Sequence, residues 1–401
     1  MKKIEYTRVE GKSAGYFALL GGLGFIMLIA LLAVWRMEHE GHYITGMTNQ
    51  IIWGMPHVFA VFLIVAASGA LNVASIASVF RKKMYDPLAR LSALLALALL
   101  AGGLVVLLLD LGRPDRLIVA MTYYNFKSIF AWNIILYTGF FAFVGAYLWT
   151  MMDHNVYRFK PYAGFAAFIW RLILTTGTGS IFGFLVARSA YDAALLAPMF
   201  IIMSFAYGMA IYILVLMAAY KWTGRELGDM IVQRLRNLLG VFVAAVLYFV
   251  IVYHLTNLYV AEHHGLEKFL LLEGDVYTNV FWLGQVLLGL IIPLILIYAP
   301  GVRNCRKTLG LVSVMVILGG LCQMYVTIIG GQAYPLEIFP GYEVVSSTFF
   351  DGVVAEYTPS IYEIALGVGG MALALFAVVF GIKVLGFLPA SLADKDVDPH
   401  A

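Results

Sequence analysis

The sequence contains few charged residues and almost no cysteine. Asp, Glu, Lys and Arg make up 12% of the 401 residues, whereas soluble domains contain about 25%. Its two cysteines, Cys305 and Cys322, form no CxxC motif, so this protein alone cannot supply the four thiolates of an iron–sulfur cluster, and no disulfide framework is implied. The shortage of charge excludes a cytosolic enzyme, a nucleic-acid binder and a disordered chain. No nucleic-acid partner and no metal site are therefore predicted.

The sequence is rich in apolar residues, with 62% hydrophobic residues and a mean hydropathy of +0.89. A helix crosses a bilayer with roughly 20 mostly apolar residues. We therefore predict an all-α, polytopic integral membrane protein embedded in membrane lipid, with about ten transmembrane helices. The predicted spans are 16–36, 52–80, 88–111, 127–151, 162–187, 194–220, 237–260, 276–299, 308–330 and 361–387.

The distribution of basic residues predicts the orientation of these spans. If the N-terminus is cytoplasmic, 19 of the 26 Lys and Arg residues lie in segments facing inward and six in segments facing outward. Cytoplasmic loops carry the excess of Lys and Arg. We therefore expect a multi-pass protein of the cell (inner) membrane with both termini in the cytoplasm.

Two of the predicted helices share a pattern, which indicates an internal repeat. Arg90 opens the third span and Asp110 follows twenty residues later, while Arg234 and His254 occupy the same relative places in the seventh. Duplicated halves are common in membrane proteins. We predict one membrane domain over 1–401 that contains two four-helix bundles and flanking helices. Its parts are the first bundle at 52–187, the second at 194–330, an outer loop at 331–360 and the last helix at 361–387.

The predicted outer loop carries acidic residues and no basic residue. Loops of this length are usually functional or disordered, and the aromatic and proline content of this one favours an ordered docking surface. A plain solvated connector is the alternative. The acidic residues are Glu337, Glu343, Asp351 and Glu356.

A group of polar residues near the outer face predicts a quinone site in the first bundle. His57 lies one turn inside the second predicted helix, Asp110 ends the third, and Tyr124 and Asn125 precede the fourth at the same depth. Such side chains in an apolar pocket can bind the two carbonyls of a quinone, and His57 and Asp110 can exchange its two protons. Trp53, one turn before His57, completes the predicted ring contacts.

Each of these residues also has a structural interpretation. Asp110 could pair with Arg113 or Arg116 at the membrane interface, where charge is inexpensive. His57 could satisfy backbone groups freed by the adjacent proline. Trp53 could belong to an interfacial aromatic belt.

Four further polar residues within or beside the spans are candidates for a proton path, because intramembrane ionisable groups are costly unless paired or wet. Asn133 lies deeper than the quinone site, Arg171 lies within the fifth span, His254 ends the pattern in the seventh, and Glu363 opens the tenth. The alternatives are snorkelling for Arg171 and helix capping for Glu363. The same residues leave two rival functions open, a secondary transporter or proton channel and, through His57 and His254, a haem b cytochrome.

Four short motifs are spread along the sequence. They are Asp86-Pro87-Leu88-Ala89-Arg90-Leu91, Asp110-Leu111-Gly112-Arg113-Pro114, Phe281-Trp282 and Tyr357 with Glu363-Ile364. These motifs resemble the NrfD/PsrC family of quinone-binding membrane subunits, and the resemblance covers essentially the whole sequence. A segment around Trp53 and His57, together with Asn72, is most similar to the DsrP branch, which serves the sulfite reductase-linked DsrMKJOP complex.

The resemblance implies more than the spacing does. Family members hold no metal or haem and bind menaquinol or ubiquinol near the outer face of the first bundle. His57 and Asp110 match headgroup positions, and Tyr124 and Asn125 match less closely. The implied electron partner is a periplasmic, ferredoxin-like iron–sulfur subunit. The DsrP branch adds a multihaem cytochrome c, a haem b membrane subunit, a cytoplasmic iron–sulfur subunit and a role in dissimilatory sulfur metabolism. Proton translocation, suggested by energy-conserving relatives, is left open.

Overall fold

The computed structural model describes residues 5–301, 305–335 and 353–397, and within them ten helices are long and apolar enough to cross a membrane. This confirms the all-α, multi-pass architecture. The helices are α1 (Ala14–Glu40), α2 (Met55–Ser78), α3 (Lys83–Leu109), α4 (Ile129–Met152), α5 (His154–Gly183), α6 (Leu196–Thr223), α7 (Asp229–Tyr259), α8 (Val276–Tyr298), α9 (Arg306–Ala333) and α10 (Ile361–Val384).

Each predicted span corresponds to one of these helices, and the largest differences are at the starts of α5 and α7. Helix α5 begins at His154 rather than near residue 162, and α7 begins at Asp229 rather than near residue 237. The first turns of α7 carry Arg234 and Arg236, which lower the hydropathy without disfavouring a helix, because arginine is a good helix former. Hydropathy therefore locates the membrane crossing and misses the polar turns that continue outside it.

The second helix, α2, lies at the centre of the molecule. Almost all of its apolar segment is buried, whereas the corresponding segments of α1 and α4 are mostly exposed. It packs against α3, α5, α6, α9 and α10. A helix in this position is apolar on every side because every side meets protein.

Helix contacts fall into two groups. In the first, α2 packs against α3 and α5, and α4 packs against α3 and α5; in the second, α6 packs against α7 and α9, and α8 packs against α7 and α9. The outermost helix, α1, packs along α10, which covers α3 and α2. Helix α6 also packs against α2 and α5, so the bundle bounds 52–187 and 194–330 and the division into repeats stay predictions.

The two groups meet most closely where α2 crosses α6. A Cβ atom on Gly69 would overlap the backbone of Ser204, and one on Gly208 would overlap the backbone at Gly69 and Ala70. Small residues let membrane helices approach to backbone contact, which is the main attraction available to them in lipid. We call this contact of Gly69 with Gly208 the glycine seam.

The first and last described segments are joined by a two-stranded antiparallel pair, β1 (Tyr6–Thr7) with β2 (Leu388–Pro389). The Ala390 N–H donates to the Glu5 carbonyl at 2.9 Å. Both segments therefore lie at the same end of the molecule. That arrangement agrees with both termini on one side of the membrane, and the cytoplasmic assignment of that side stays a prediction.

Most of the predicted outer loop, including Glu337, Glu343 and Asp351, lies outside the described residues. Its described ends are anchored, since the Ala355 N–H donates to the Ala333 carbonyl at 2.9 Å. The docking surface predicted for this loop therefore stays a prediction.

Candidate functional site

The start of α2 is fixed by contacts from two distant parts of the sequence. The N–H groups of Ile52 and Trp53 both donate to the side-chain oxygen of Gln332 at 3.0 Å. The Met55 N–H donates to the Tyr357 hydroxyl at 2.6 Å. The Met55 bond satisfies a backbone donor that a helix start leaves free, and the bonds to Gln332 fix the two residues that lead into the first turn.

Glycine is required directly before α2. A Cβ atom on Gly54 would collide with the carboxylate of Glu363 and the hydroxyl of Tyr357. His57 then falls in the first turn of α2, following Pro56, which is accepted there because its missing N–H would have no helical partner. This end of α2 is therefore built for close approach by α10.

His57 meets Asp110 at this end of the first helix group. Asp110 follows the last residue of α3 and is 6% exposed, and one of its oxygens lies 2.7 Å from Nδ1 of His57. Among the described residues, neither Asp110 oxygen has a hydrogen bond of good geometry, and neither does His57 Nδ1. The contact is thus a close ion-pair geometry without an aligned hydrogen bond.

The alternative pairing of Asp110 with Arg113 is not what the structure shows. Arg113 makes a two-bond contact to Asp115 instead, at 3.0 and 2.9 Å, on the exposed segment after α3. Asp110 therefore faces the interior beside His57, and Arg113 faces outward.

Aromatic rings form one wall beside His57. The Trp53 ring lies nearly parallel to the imidazole, with centroids 6.0 Å apart, and it also contacts Phe130, Phe182 and Tyr191. Trp53 is thus part of the packing around His57 and joins α2 to α4 and α5. A flat apolar wall beside this histidine–carboxylate pair suits a planar ring ligand.

A second histidine lies nearby and was not singled out from the sequence. A Cβ atom on Gly112 would lie 3.7 Å from Nδ1 of His42, and Nε2 of His42 is buried without a hydrogen-bond partner in the described part of the protein. His42 lies in a short turn after α1, where no periodic pattern marks it. Only the fold brings it beside the Asp110 turn.

Two of the predicted headgroup residues lie apart from this pair. Asn125 is exposed, and its side-chain oxygen accepts from the Lys127 N–H at 3.1 Å. Tyr124 stacks on Phe126. None of the described hydrogen bonds or ring contacts joins Tyr124 or Asn125 to His57 or Asp110, so their predicted role stays a prediction.

The comparisons with known proteins agree with this architecture. The family model described as polysulphide reductase, NrfD, matches residues 43–335, which is most of the sequence. The chain belongs to the NrfD family. The match covers α2 to α9, and so it includes both His57 and Asp110.

Three relatives of this NrfD-family protein have informative names. The Hdr-like menaquinol oxidoreductase integral membrane subunit of Archaeoglobus fulgidus is 28% identical, over 98% of this protein and 99% of the relative. A selenate reductase subunit from Mesobacillus selenatarsenatis is 24% identical, over 90% of this protein and 92% of the relative. A polysulfide reductase chain from Wolinella succinogenes is 23% identical, over 71% of this protein and 96% of the relative.

The other candidate residues of this NrfD-family protein lie in three places, namely the first helix group, the second helix group and the start of α10. Asn133 is 2% exposed, and its amide nitrogen donates to the carbonyls of Ile129 and Gly177 at 2.9 and 3.2 Å. Its amide oxygen is buried and has no partner among the described residues. A role for Asn133 in a proton path stays a prediction.

Arg171 is buried between the rings of Phe168 and Phe205. Its Nη1 donates to the Ser68 carbonyl at 2.9 Å and to the Asn72 side chain at 2.7 Å. The side chain is 3% exposed, so it does not snorkel to a membrane face. No carboxylate is paired with Arg171 in the described residues, and dipoles and aromatic faces hold this charge instead.

Glu363 is fully buried at the start of α10, where three donors reach its carboxylate. They are the Tyr357 hydroxyl at 2.6 Å, the Ser360 N–H at 2.7 Å and the Gly46 N–H at 2.8 Å. Together with Ser360 it forms a capping box, which confirms the capping interpretation. Its predicted part in a proton path is untested.

His254 is paired with a residue that sequence reasoning missed. Its Nδ1 lies 2.7 Å from Glu267, which is fully buried and also accepts from the Asn257 amide at 2.8 Å. Glu267 lies in a short helix between α7 and α8, outside the predicted spans. Because it lies beside Lys268 and between two predicted spans, only the fold shows that it is buried.

Proposed function

We propose that this protein is the quinone-binding membrane subunit of a respiratory redox complex. In this proposal His57 and Asp110 exchange protons with menaquinol or menaquinone, and the electrons pass to a periplasmic, ferredoxin-like iron–sulfur subunit. The observation that carries it is the His57–Asp110 pair, 2.7 Å apart and otherwise without hydrogen-bond partners among the described residues.

The chemistry of a quinol explains why such a pair is needed. Oxidation of a quinol to a quinone releases two electrons and two protons. His57 can accept one proton and Asp110 another, and transfer to a positioned side chain of this kind accelerates reactions by roughly 10²–10⁴-fold. The nearby Trp53 ring provides a flat apolar surface for the headgroup.

The electrons require a partner protein in this proposal. With two cysteines in the whole sequence, the protein cannot ligate a Cys₄ cluster alone. The relatives are named as parts of menaquinol oxidoreductase, selenate reductase and polysulfide reductase, and these names support a multi-subunit assembly. We further propose the partners implied by the sequence resemblance, namely a multihaem cytochrome c, a haem b membrane subunit and a cytoplasmic iron–sulfur subunit, with sulfur metabolism as the setting.

The test measures oxidation of a menaquinol analogue by the purified native complex. We expect His57→Ala and Asp110→Asn each to lower turnover by roughly 10²–10⁴-fold while the complex stays assembled. Asp115→Asn is the matched control, because this carboxylate lies in the same turn region but is exposed and paired with Arg113. Wild-type turnover in both site variants would refute the proposal.

A visible absorption spectrum of the separated subunit tests the rival cytochrome function. We expect no haem bands from this protein. Bands that disappear in His57→Ala or His254→Ala would replace the quinone proposal by the haem one.

A further inference from the structure

The turn between α1 and α2 carries an ionisable group that the proposed function does not use. Gly41 follows α1 with a φ of +96°, a backbone conformation that favours glycine. The next residue is His42, whose carbonyl accepts from the N–H and the hydroxyl of Thr45 at 3.0 and 2.6 Å. These two bonds fix the turn from which the imidazole projects.

Apolar packing places this turn beside the His57–Asp110 pair. Ala60 follows His57 by three residues and Val106 precedes Asp110 by four, so each lies on the same helix face as its polar neighbour, one turn deeper. Ala60 and Val106 belong to one small apolar cluster, and Ile44 of the turn packs against that cluster. The turn after α1 therefore lies against the ends of α2 and α3 that carry the pair.

The His42 ring reaches the segment that follows Asp110. A Cβ atom on Gly112, two residues after Asp110, would lie 3.7 Å from Nδ1 and 3.8 Å from Cε1 of His42. Nε2, which is bonded to Cε1, is buried without a hydrogen-bond partner in the described part of the protein. The same is true of Nδ1 of His57 and of both Asp110 oxygens, and such atoms in native proteins call for an explanation.

The three ionisable groups differ in their access to solvent. The side chains of Asp110 and His57 are 1% and 18% exposed, whereas His42 is half-buried and lies beyond the end of α1. A proton taken up by the buried carboxylate needs a carrier to reach water. Histidine suits this task because its charge changes between pH 5 and 8. His42 combines a buried nitrogen near the pair with a position at the end of the membrane span.

We propose that His42 accepts the quinol proton from Asp110 and passes it to the water at this end of the molecule. The inference rests on the proposed function, in which quinol oxidation puts two protons on His57 and Asp110 and two electrons on the iron–sulfur partner. The Asp110 O–H bond then breaks as an N–H bond forms at Nε2 of His42, directly or through one bridging water. The imidazolium loses a proton to bulk water, and Asp110 is again a carboxylate.

This role adds a residue that the family model does not include. The model match begins at residue 43, and so it covers His57 and Asp110 but not His42. The proton-accepting pair is thus common ground with the family, whereas the exit through His42 is inferred from this structure alone.

The test measures kcat and KM for a menaquinol analogue with the purified native complex. His42→Gln keeps a hydrogen-bonding side chain that cannot carry a proton, so we expect kcat to fall by roughly 10²-fold with KM unchanged. His42→Ala should lose kcat likewise. Added imidazole should raise the kcat of this variant by about tenfold, because the free base replaces the missing proton acceptor.

His39→Gln is the matched control, because His39 lies three residues earlier, is exposed and stacks on Trp35. Its kcat should equal that of the wild type. Wild-type kcat in His42→Gln would overturn the inference, and so would a change in KM alone or no rescue of His42→Ala by imidazole. Loss of assembly in both His42 variants would also overturn it, since it would show a structural role.

The site variants separate this inference from the proposed function. Wild-type turnover in both His57→Ala and Asp110→Asn would refute the proposed function and the inference with it. Loss of turnover in those two variants together with wild-type kcat in His42→Gln would refute the His42 exit only.

Discussion

The two helix groups each hold a histidine against a carboxylate, and the two pairs differ in how they are supported. His57 and Asp110 are 2.7 Å apart, and so are His254 and Glu267. Glu267 has a well-aligned bond to its histidine and a second from Asn257, whereas Asp110 has no such bond in the described structure. The Asn257 amide therefore braces the second pair, whereas the first pair depends on its 2.7 Å contact alone among the described residues. The distance alone does not distinguish the two pairs.

The largest effect on quinol turnover is expected from replacing the Asp110 carboxylate by an amide, and the same change at Glu267 is the comparison. We expect Asp110→Asn to lower quinol turnover by roughly 10²–10⁴-fold, because a proton acceptor is lost. Glu267→Gln should lower it far less, since Glu267 only positions His254. Steady-state oxidation by the native complex measures both. Equal losses of turnover in the two variants would show that the two histidine–carboxylate pairs do not differ in function.

A smaller effect should follow from adding one methyl group beside His57. Gly54→Ala places a Cβ atom against Glu363 and Tyr357, so the first turn of α2 must shift. We expect turnover to fall by about tenfold to a hundredfold, as for a misplacement of about 1 Å. The matched control is Gly145→Ala, since no atom lies within 4 Å of that added Cβ. Equal turnover in the two variants would show that the close approach at Gly54 is not needed.

The buried cation of the first group offers a test of stability. Asn72 accepts a hydrogen bond from Arg171 at 2.7 Å, and Asn72→Ala leaves that donor unsatisfied. We expect a loss of about 1–3 kcal/mol, seen as a lower Tm in a thermal-shift assay in detergent. Thr176→Ala, an exposed change on α5, the helix that carries Arg171, should leave Tm unchanged. A Tm unchanged in Asn72→Ala would mean that water solvates Arg171.

The smallest effect is expected at the exposed pair after α3. The hydrogen bond from Arg113 lowers the pKa of the Asp115 carboxyl below its usual value. The lowered pKa means that the pair adds stability at neutral pH and loses it as the pH falls through that pKa. Asp115→Asn should leave quinol turnover unchanged at pH 7. A clear loss would mean that carboxylates in this region act together, and the specific role of Asp110 would be lost.

Sequence reasoning succeeded where one physical rule dominates and failed where several distant parts meet. The ten spans follow from hydropathy because lipid penalises every polar group in a crossing helix. The depth of His57 and Asp110 along their helices was enough to expect them side by side. Glu267 was missed because it lies in a connector, where burial has no sequence pattern. His42 was missed for the same reason, since the turn after α1 has no periodic pattern.

Other expectations depended on loops, which hydropathy does not constrain. The sequence predicts Tyr124 and Asn125 beside His57 because they precede α4 at the same depth. In the structure Asn125 bonds to its own turn and Tyr124 stacks on a neighbour. Local side-chain bonds of this kind compete with long-range contacts, and the sequence alone does not show which of them prevails.

The glycine seam bears on how the protein could couple its two halves. Rocking transport requires one half to slide or tilt against the other, and at Gly69 and Gly208 such a movement would have to separate two touching backbones. Close-packed interiors switch between discrete arrangements rather than deforming gradually. The helices joined at this contact are suited to proton or electron transfer between groups at fixed positions, in which only side chains and bound molecules move.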